Sequence, residues 1–397
     1  MKDRIYLDNA ATTKINHEVF EAMKPYFEEE YANASSTYRF AGAVHAKIED
    51  ARNQIAEFLG AKSSEIYFTS GGSESDNWAI KGVADSLREK GNHIITTKIE
   101  HHAVLHTCEF LEHFGFEVTY LDVDEYGFVD PKEFEKAIKP TTILASIMFA
   151  NNEIGTIEPI AELGKIAHEH GVIFHTDAVQ AFGHVRIHVD EMNIDLLSAS
   201  AHKINGPKGV GLLYIRNGVK LSNLIHGGAQ ERSRRAGTMN AAGIVGFGKA
   251  IELANRNLEE VAEYETGLRD KLIHRVTTEI PFTRCNGHLT NRLSNNTNFC
   301  FRFIEGESLL ILLDQNGICA SSGSACTSGA LDPSHVLLAI GLPHEIAHGS
   351  IRFTLSKETT EEEIDNVVDT LKIIVERLRN MSPLYEDYRK NHQNEEE

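Results

Sequence analysis

Several things are scarce in this chain of 397 residues: it has five cysteines, one tryptophan, nine prolines, and only 39 Lys and Arg against 58 Asp and Glu. The resulting net charge of −19 argues against non-specific attraction to nucleic acid or anionic membrane, although a local basic pocket for a small anion survives such a balance. The cysteines (Cys108, Cys285, Cys300, Cys319 and Cys326) are odd in number, scattered, and without a CxxC pair. That disfavours a disulfide framework or zinc knuckle, fits a reducing cytoplasm, and leaves at least one thiol free to react. No apolar run approaches the roughly 20 residues of a membrane span. The N-terminus is charged and then strand-like, unlike a signal peptide. No internal repeat is visible. What is present is ordinary globular composition, 41% hydrophobic and 24% charged, enough to bury a sizeable core.

Short apolar runs alternate with amphipathic stretches. Strands are expected at 65–69, 93–97, 117–121, 143–149, 172–175, 195–199 and 211–215, with helical patterns at 74–90, 103–114 and 159–170. This alternation predicts an α/β fold with a mainly parallel sheet covered on both faces. Pro159 suits a first helical turn and Gly171 a helix end. After Asn240 the pattern changes. One long helix is expected over about 241–276, then strands near 296–303 and 350–355, and a closing amphipathic helix. Thr359 and Thr360 each precede a Glu by three, a capping-box signal for that helix. This reads as a second, smaller α+β domain joined by the N-terminal segment. The polar tail from Pro383 is expected to fray.

Five segments could carry chemistry. In Ser200 to Gly209, Lys203 and Lys208 follow a strand and lie in a Gly/Pro loop, where ligands of parallel sheets bind; a lysine there can form a Schiff base with a carbonyl. Asp177 ends an apolar strand, so its carboxylate wants a partner, either a helix N-terminus or a pyridinium N–H. Thr69 to Ser75 closes a strand in small residues that open a helix, an anion site suited to phosphate but not a Walker sequence. Glu100-His101-His102, with His106 beyond, could be a metal cluster, a histidine that stacks on a flat cofactor and moves protons, or surface histidines. Ser321 to Gly329 sets Cys326 among small residues, where it is expected to be exposed and mobile, unlike Cys319 beside the apolar Ile318. In addition, Arg352 alternates with apolar neighbours and wants a carboxylate. The basic run 230–238 suits a phosphate or a subunit contact better than nucleic acid, or is a solvated loop.

Together these segments resemble a pyridoxal-phosphate-dependent cysteine desulfurase of the NifS/IscS type, within the class V aminotransferases. The likeness runs from Tyr6-Leu7-Asp8-Asn9-Ala10-Ala11-Thr12-Thr13 to about Arg379. In order, it includes Glu100-His101, Asn151-Asn152-Glu153-Ile154-Gly155, Asp177 to Gln180, Ser200-x-His202-Lys203, His226-Gly227-Gly228 and the Ser-Gly-Ser-Ala-Cys-Thr-Ser loop. The resemblance implies a fold type I homodimer with a seven-stranded sheet. A large cofactor domain would span 15–260; a small domain of 1–14 and 261–397 would carry the Cys326 loop. Lys203 would hold pyridoxal 5'-phosphate, Asp177 would pair with its ring nitrogen, and Gln180 would contact its phenolic oxygen. Gly72, Ser73, Ser200 and His202 would bind its phosphate, with Thr238 reaching in from the other subunit. His101 would stack and shuttle protons, and Asn152 and Arg352 would hold the substrate carboxylate. Cys326 would take sulfur from L-cysteine as a persulfide, release alanine, and pass the sulfur to an iron–sulfur scaffold or another acceptor protein. Its segment looks like the longer-loop type that delivers sulfur directly. No metal is implied, and the setting would be cytoplasmic. The alternatives are a selenocysteine lyase, another pyridoxal enzyme of this fold, or a non-catalytic dimeric scaffold. The sequence departs from the family pattern in four places, one being Ala41-Gly42, where a small Gly that commonly follows is displaced or replaced. It has Asn33-Ala34-Ser35-Ser36-Thr37-Tyr38 in place of Asn-Pro-Ser-Ser-x-His near the expected active-site entrance. It has Gly72-Ser73 where Ala-Thr is common, and Asn205 where an aromatic or His is usual.

Overall fold

The computed structural model describes residues 4–322 and 333–392. Seven strands form the central sheet: Ile66–Thr69 (β1), His93–Thr97 (β2), Glu117–Leu121 (β3), Thr142–Ser146 (β4), Ile173–Asp177 (β5), Leu196–Ser200 (β6) and Gly211–Ile215 (β7). Their order is β1-β7-β6-β5-β4-β2-β3. Only β7 runs antiparallel to its neighbours; the remaining pairs are parallel. Strands β4, β6 and β7 are buried along their whole length, while edge strand β3 is half-exposed. This is the pattern of a sheet covered by helices on both faces. One large apolar cluster packs helix Arg39–Leu59 and helix Ala241–Arg256 on one side, through Ile48, Ile55 and Phe247. A second packs helix Gly72–Ser86 and helix His102–Glu112 on the other, through Trp78, Val83 and Val104. The strands at 93–97, 117–121 and 211–215 lie where expected, and the rest shift by one to three residues at an end.

A further core surrounds an antiparallel sheet of Ser350–Thr354, Asn296–Phe301 and Thr283–Cys285. Phe299, Phe301, Ile351 and Phe353 pack there against helices Leu258–Glu279 and Glu361–Asn380. Leu7 joins this cluster, and Ile5–Tyr6 pairs in parallel with Ile318–Cys319.

Two expectations need correction. The long helix of 241–276 is two helices, Ala241–Arg256 and Leu258–Glu279, broken at Asn257, whose φ −120° and ψ 19° leave the helical region. Continuous amphipathic spacing concealed the break. The tail does not fray at Pro383: helix Pro383–His392 follows, and its Tyr385 and Tyr388 pack on Phe282 and Phe303 at centroid distances of 5.1 to 6.3 Å. Two tyrosines in a polar segment were enough to dock it. The capping box is present at Thr360, whose Oγ1 accepts from Glu363 N while Glu363 accepts from Thr360 N. Among the described residues, no helix is long and apolar enough to cross a membrane.

Candidate active site

The parallel strands end on one side of the sheet, where ligands of such sheets bind. There Gly72, Ser73, His101, Asn152, Asp177, Gln180, Ser200, His202, Lys203 and Arg352 line one cavity of about 350 Å³. Ten of the twelve residues singled out in the sequence are thus brought together. Thr238 is exposed and outside this lining, and Cys326 lies outside the described residues.

Each side chain is placed by the end of a strand or by the turn after one. Asp177 is the last residue of β5 and only 6% exposed. Its Oδ1 accepts from Val179 N at 2.9 Å, so one oxygen caps the following turn and the other serves the cavity. Burial pushes this carboxyl up, while His101, the Val179 N–H and Lys203 pull it back. Lys203 closes the short helical turn after β6, and its Nζ donates to the carbonyls of Ala10 at 2.5 Å and Ala11 at 2.9 Å. Gln180 Nε2 donates to the same Ala10 carbonyl at 3.0 Å. Lys208 lies instead beside a neighbouring groove with Ser70 to Glu74, Ser200 and His202. The two lysines left open in the sequence therefore have different places.

His101 caps helix His102–Glu112: its Nδ1 accepts from Ala103 N at 3.1 Å. That assigns the ring proton to Nε2 when the imidazole is neutral. His102 stacks within 4.8 Å of His335 and 5.0 Å of His106, and burial with those neighbours pushes it down to about 4. Among the described residues no group of three or more His, Cys, Asp or Glu is arranged to hold a metal ion. His202 is pushed down to about 4 by burial, then by Lys203 and Lys208, and its Nδ1 meets Thr12 Oγ1 at 3.1 Å.

The anion cup is built from backbone. Helix Gly72–Ser86 opens at the end of β1 with its first N–H groups unpaired by the helix. A Cβ on Gly72 would come within 2.6 Å of Val179 Cγ2, so glycine here makes room for valine there. Burial raises Glu74, but hydrogen bonds from Arg235 at 2.8 and 3.0 Å and from Ser70 hold it low. Arg352 donates from Nη1 to Asn152 O at 3.0 Å and from Nη2 to Asp8 Oδ1 at 2.9 Å, while its Nε is buried with no hydrogen-bond partner among the described residues.

The described residues on either side of Cys326 in sequence, Ser321, Ser334 and His335, are held beside this cavity. Ser321 and Arg352 exchange backbone hydrogen bonds at 2.6 and 3.2 Å. Ser334 Oγ donates to Glu153 Oε2 at 2.5 Å, and His335 Nε2 meets the carbonyl of Glu100 at 2.9 Å. Of the other cysteines, burial raises Cys108, Cys319 and, to about 11, Cys300.

Residues 5–367 match the family described as aminotransferase class V. The chain belongs to that family. A relative from Clostridium botulinum, named cysteine desulfurase IscS, is 58% identical over 393 residues, covering 98% of this chain and 99% of the relative. Among solved structures, a NifS-like protein superposes with TM-score 0.89 at 40% identity, covering 94% of this chain and all of that one. Another, described as SspA in complex with cysteine, gives TM-score 0.80 at 40% identity, covering 90% of this chain and all of that one.

The cofactor of this class V chain is pyridoxal phosphate, and the residues present fit it. A buried carboxylate at a strand end suits a ring N–H, the N–H cup at Gly72 suits a phosphate, and Lys203 in the same cavity suits the aldehyde carbon. Sequence reasoning missed Asp76 and gave Glu100 no role of its own; both are fully buried carboxyl groups beside Asp177. The available signal was an acid on the inward face of the helix, between Ser75 and Trp78, which are both buried. Two departures acquire a local reason. Asn205 has φ 60°, a left-handed conformation that Asn tolerates better than most residues. Ala34, Ser35 and Ser36 do not approach the cavity in this chain; they line a separate groove with Arg52, Gln230 and Glu231.

Proposed function

We propose that this chain is a cysteine desulfurase that takes the sulfur of L-cysteine onto Cys326 and releases L-alanine. The observation that carries the reading is that Ser321 and Ser334, which flank Cys326 in sequence, bond to Arg352 and Glu153 beside the cavity that holds Lys203, Asp177 and His101.

When bound, pyridoxal phosphate supplies an electron sink for charge developing at the substrate Cα. The rest falls to the chain's own groups. Lys203 would hold the cofactor, and its Nζ, once free, would take the Cα proton. Asp177 would pair with the ring nitrogen. Gln180 would contact the phenolic oxygen, and Gly72, Ser73, Ser200 and His202 would bind the phosphate. His101 would stack against the cofactor and carry a proton at Nε2. Asn152 and Arg352 would orient the substrate carboxylate. The Cys326 thiolate attacks the substrate sulfur; a new S–S bond forms, the C–S bond breaks, and its electron pair stays on the carbon skeleton. Protonation of that carbon yields alanine, and Cys326 is left as a persulfide. The burial that raises Cys108, Cys300 and Cys319 unsuits them to this role.

Thr238, exposed in the single chain, would meet the cofactor phosphate of a second copy in a homodimer. A large domain of 15–260 and a small one of 1–14 and 261–397 would divide the work between cofactor and sulfur relay. The acceptor is an iron–sulfur scaffold or another sulfur-carrying protein, in a reducing cytoplasm. The test is peptide mass spectrometry after brief exposure to L-cysteine without reductant. One added sulfur on the Cys326 peptide, with alanine released, is expected, and Cys326→Ala should bind cofactor without gaining it. Sulfur on another cysteine, or normal turnover by Cys326→Ala, would overturn the assignment.

A further inference from the structure

Beneath the Asp177 carboxylate lies a second buried acid that the reaction above does not use. Asp76 sits one turn into helix Gly72–Ser86, on the face against the sheet, and is 1% exposed. It lines the same cavity as Asp177 and Lys203. Among the described residues its Oδ1 has no hydrogen-bond partner, and it lies 3.7 Å from His175 Nε2; its side chain bonds Ser198. His175 is two residues before Asp177 on β5, so both face the same side of the sheet. Ser198 stands directly across from Asp177 in register on β6.

No cation is available to Asp76 in these contacts. His175 is fully buried, with Nδ1 2.8 Å from Ser146 Oγ and Nε2 3.0 Å from Ser198 Oγ, and burial pushes it down to about 3, so it is neutral. The other groups facing Asp76 electrostatically are Asp177 and Glu100. Glu100 spends Oε1 on Thr97 and on Met148 N, leaving Oε2 without a partner. Carboxylates crowded into one dry site cannot all be ionised. Asp177 has the Val179 N–H, His101 and Lys203 to stabilise its charge. Asp76 has a hydroxyl and a neutral imidazole, and burial with Asp177 raises it far above an ordinary carboxyl.

We propose that Asp76 is a neutral carboxylic acid that acts through Asp177 as a positioning residue, holding the proton so that the one negative charge under the ring nitrogen stays on Asp177. This rests on the cofactor role assigned to Asp177 above. Asp76 touches Ser198 and approaches His175, the two groups that flank Asp177 on the sheet. It therefore fixes both their orientation and the charge count of the floor, while reacting with nothing.

The test uses the holoenzyme and two variants. In infrared difference spectra at neutral pH, the wild type should show a carboxylic C=O band that shifts in deuterium oxide and disappears in Asp76→Asn. In Asp76→Asn, which preserves a neutral donor, the pH profile of cofactor absorbance and the cofactor affinity should match wild type. Asp76→Ala should move that profile by about one pH unit, the size that one lost near neighbour produces, with the Asn variant standing as its rescue. Absence of the carboxylic band, or an Asn variant displaced as far as the Ala variant, would mean that Asp76 is charged and would overturn the proposal. Wild-type profiles in both variants would overturn the positioning role. If Asp76→Ala does not fold, the band and the Asn profile still decide the charge state. Failure of the cofactor reading is separate: wild-type protein would then take up no pyridoxal phosphate, while the infrared band in the apoprotein would still report on Asp76.

Discussion

Arg52 and Glu231 form a buried ion pair whose loss should be among the most damaging single changes away from the cavity. Both side chains are 3% exposed. Arg52 Nη1 and Nη2 each reach a Glu231 oxygen at 2.8 Å, and Phe68 N donates to the same carboxylate at 2.8 Å. The guanidinium also lies 4.6 Å over the Phe68 ring and donates to Ile66 O. The pair holds Glu231, Arg232 and Ser233, three consecutive non-glycine residues at φ between 45° and 63°, a conformation that persists only when its surroundings enforce it. Glu231→Ala removes the acceptor from Phe68 N and leaves the part-exposed Glu49, at 3.1 Å, as the remaining carboxylate beside buried Arg52. Breaking a buried pair in this way costs about 3–5 kcal/mol. At about 2–4 °C per kcal/mol for a domain of ordinary size, the Tm should fall by about 6–20 °C. Calorimetry of the holoenzyme measures it. The double variant Arg52→Met, Glu231→Leu should recover most of the loss, because apolar replacement of a buried pair is often neutral. A loss under about 1 kcal/mol in the single variant, or a double variant as unstable as the single, would refute the reasoning.

Gly72→Ala should destabilise the cup by about 1–3 kcal/mol through overpacking against Val179; adding Val179→Ala should restore both Tm and cofactor affinity, read by absorbance titration. Glu158 is pushed up to about 8 by burial, against the Val129 N–H that lowers it. Its folded value lies above the unfolded one of about 4.3, so the folded state keeps a proton that the unfolded state releases. Stability from this group is therefore lost as pH rises through that window, and Glu158→Gln should gain on wild type between pH 5 and 8 in urea unfolding. Thr360→Ala removes the hydroxyl that accepts from Glu363 N at 3.2 Å and should cost about 1 kcal/mol, seen as a small drop in urea midpoint with unchanged cofactor absorbance.

The sequence was most legible where one signal sufficed. Strand runs such as His93–Thr97 are apolar and β-branched enough to stand out, and strands buried on both faces leave little choice but a parallel sheet. The cavity was legible as a set of motifs, since the strand ends that carry Asp177 and Ser200 and the turns after them are short and local. What escaped depends on long-range packing. Asn257 breaks a helix that spacing alone continues, and Tyr385 and Tyr388 dock a polar tail on rings roughly 80 to 100 residues earlier. Asp76 escaped because an acid within a helix reads as surface until the sheet behind it is known.

Arg352 shows why the remaining step is one of competition rather than of placement. A substrate carboxylate would approach a guanidinium already engaged on Asp8 and on the Asn152 carbonyl. Asp8 is 22% exposed at its side chain and Arg352 only 5%, so Asp8 is the partner that water can receive. The same Arg352 backbone exchanges hydrogen bonds with Ser321. A carboxylate that displaced Asp8 would thus act on a residue whose backbone also holds Ser321, five positions before Cys326 in sequence. In the proposed reading, the guanidinium that meets the carboxylate and the backbone that holds Ser321 belong to one strand, Ser350–Thr354.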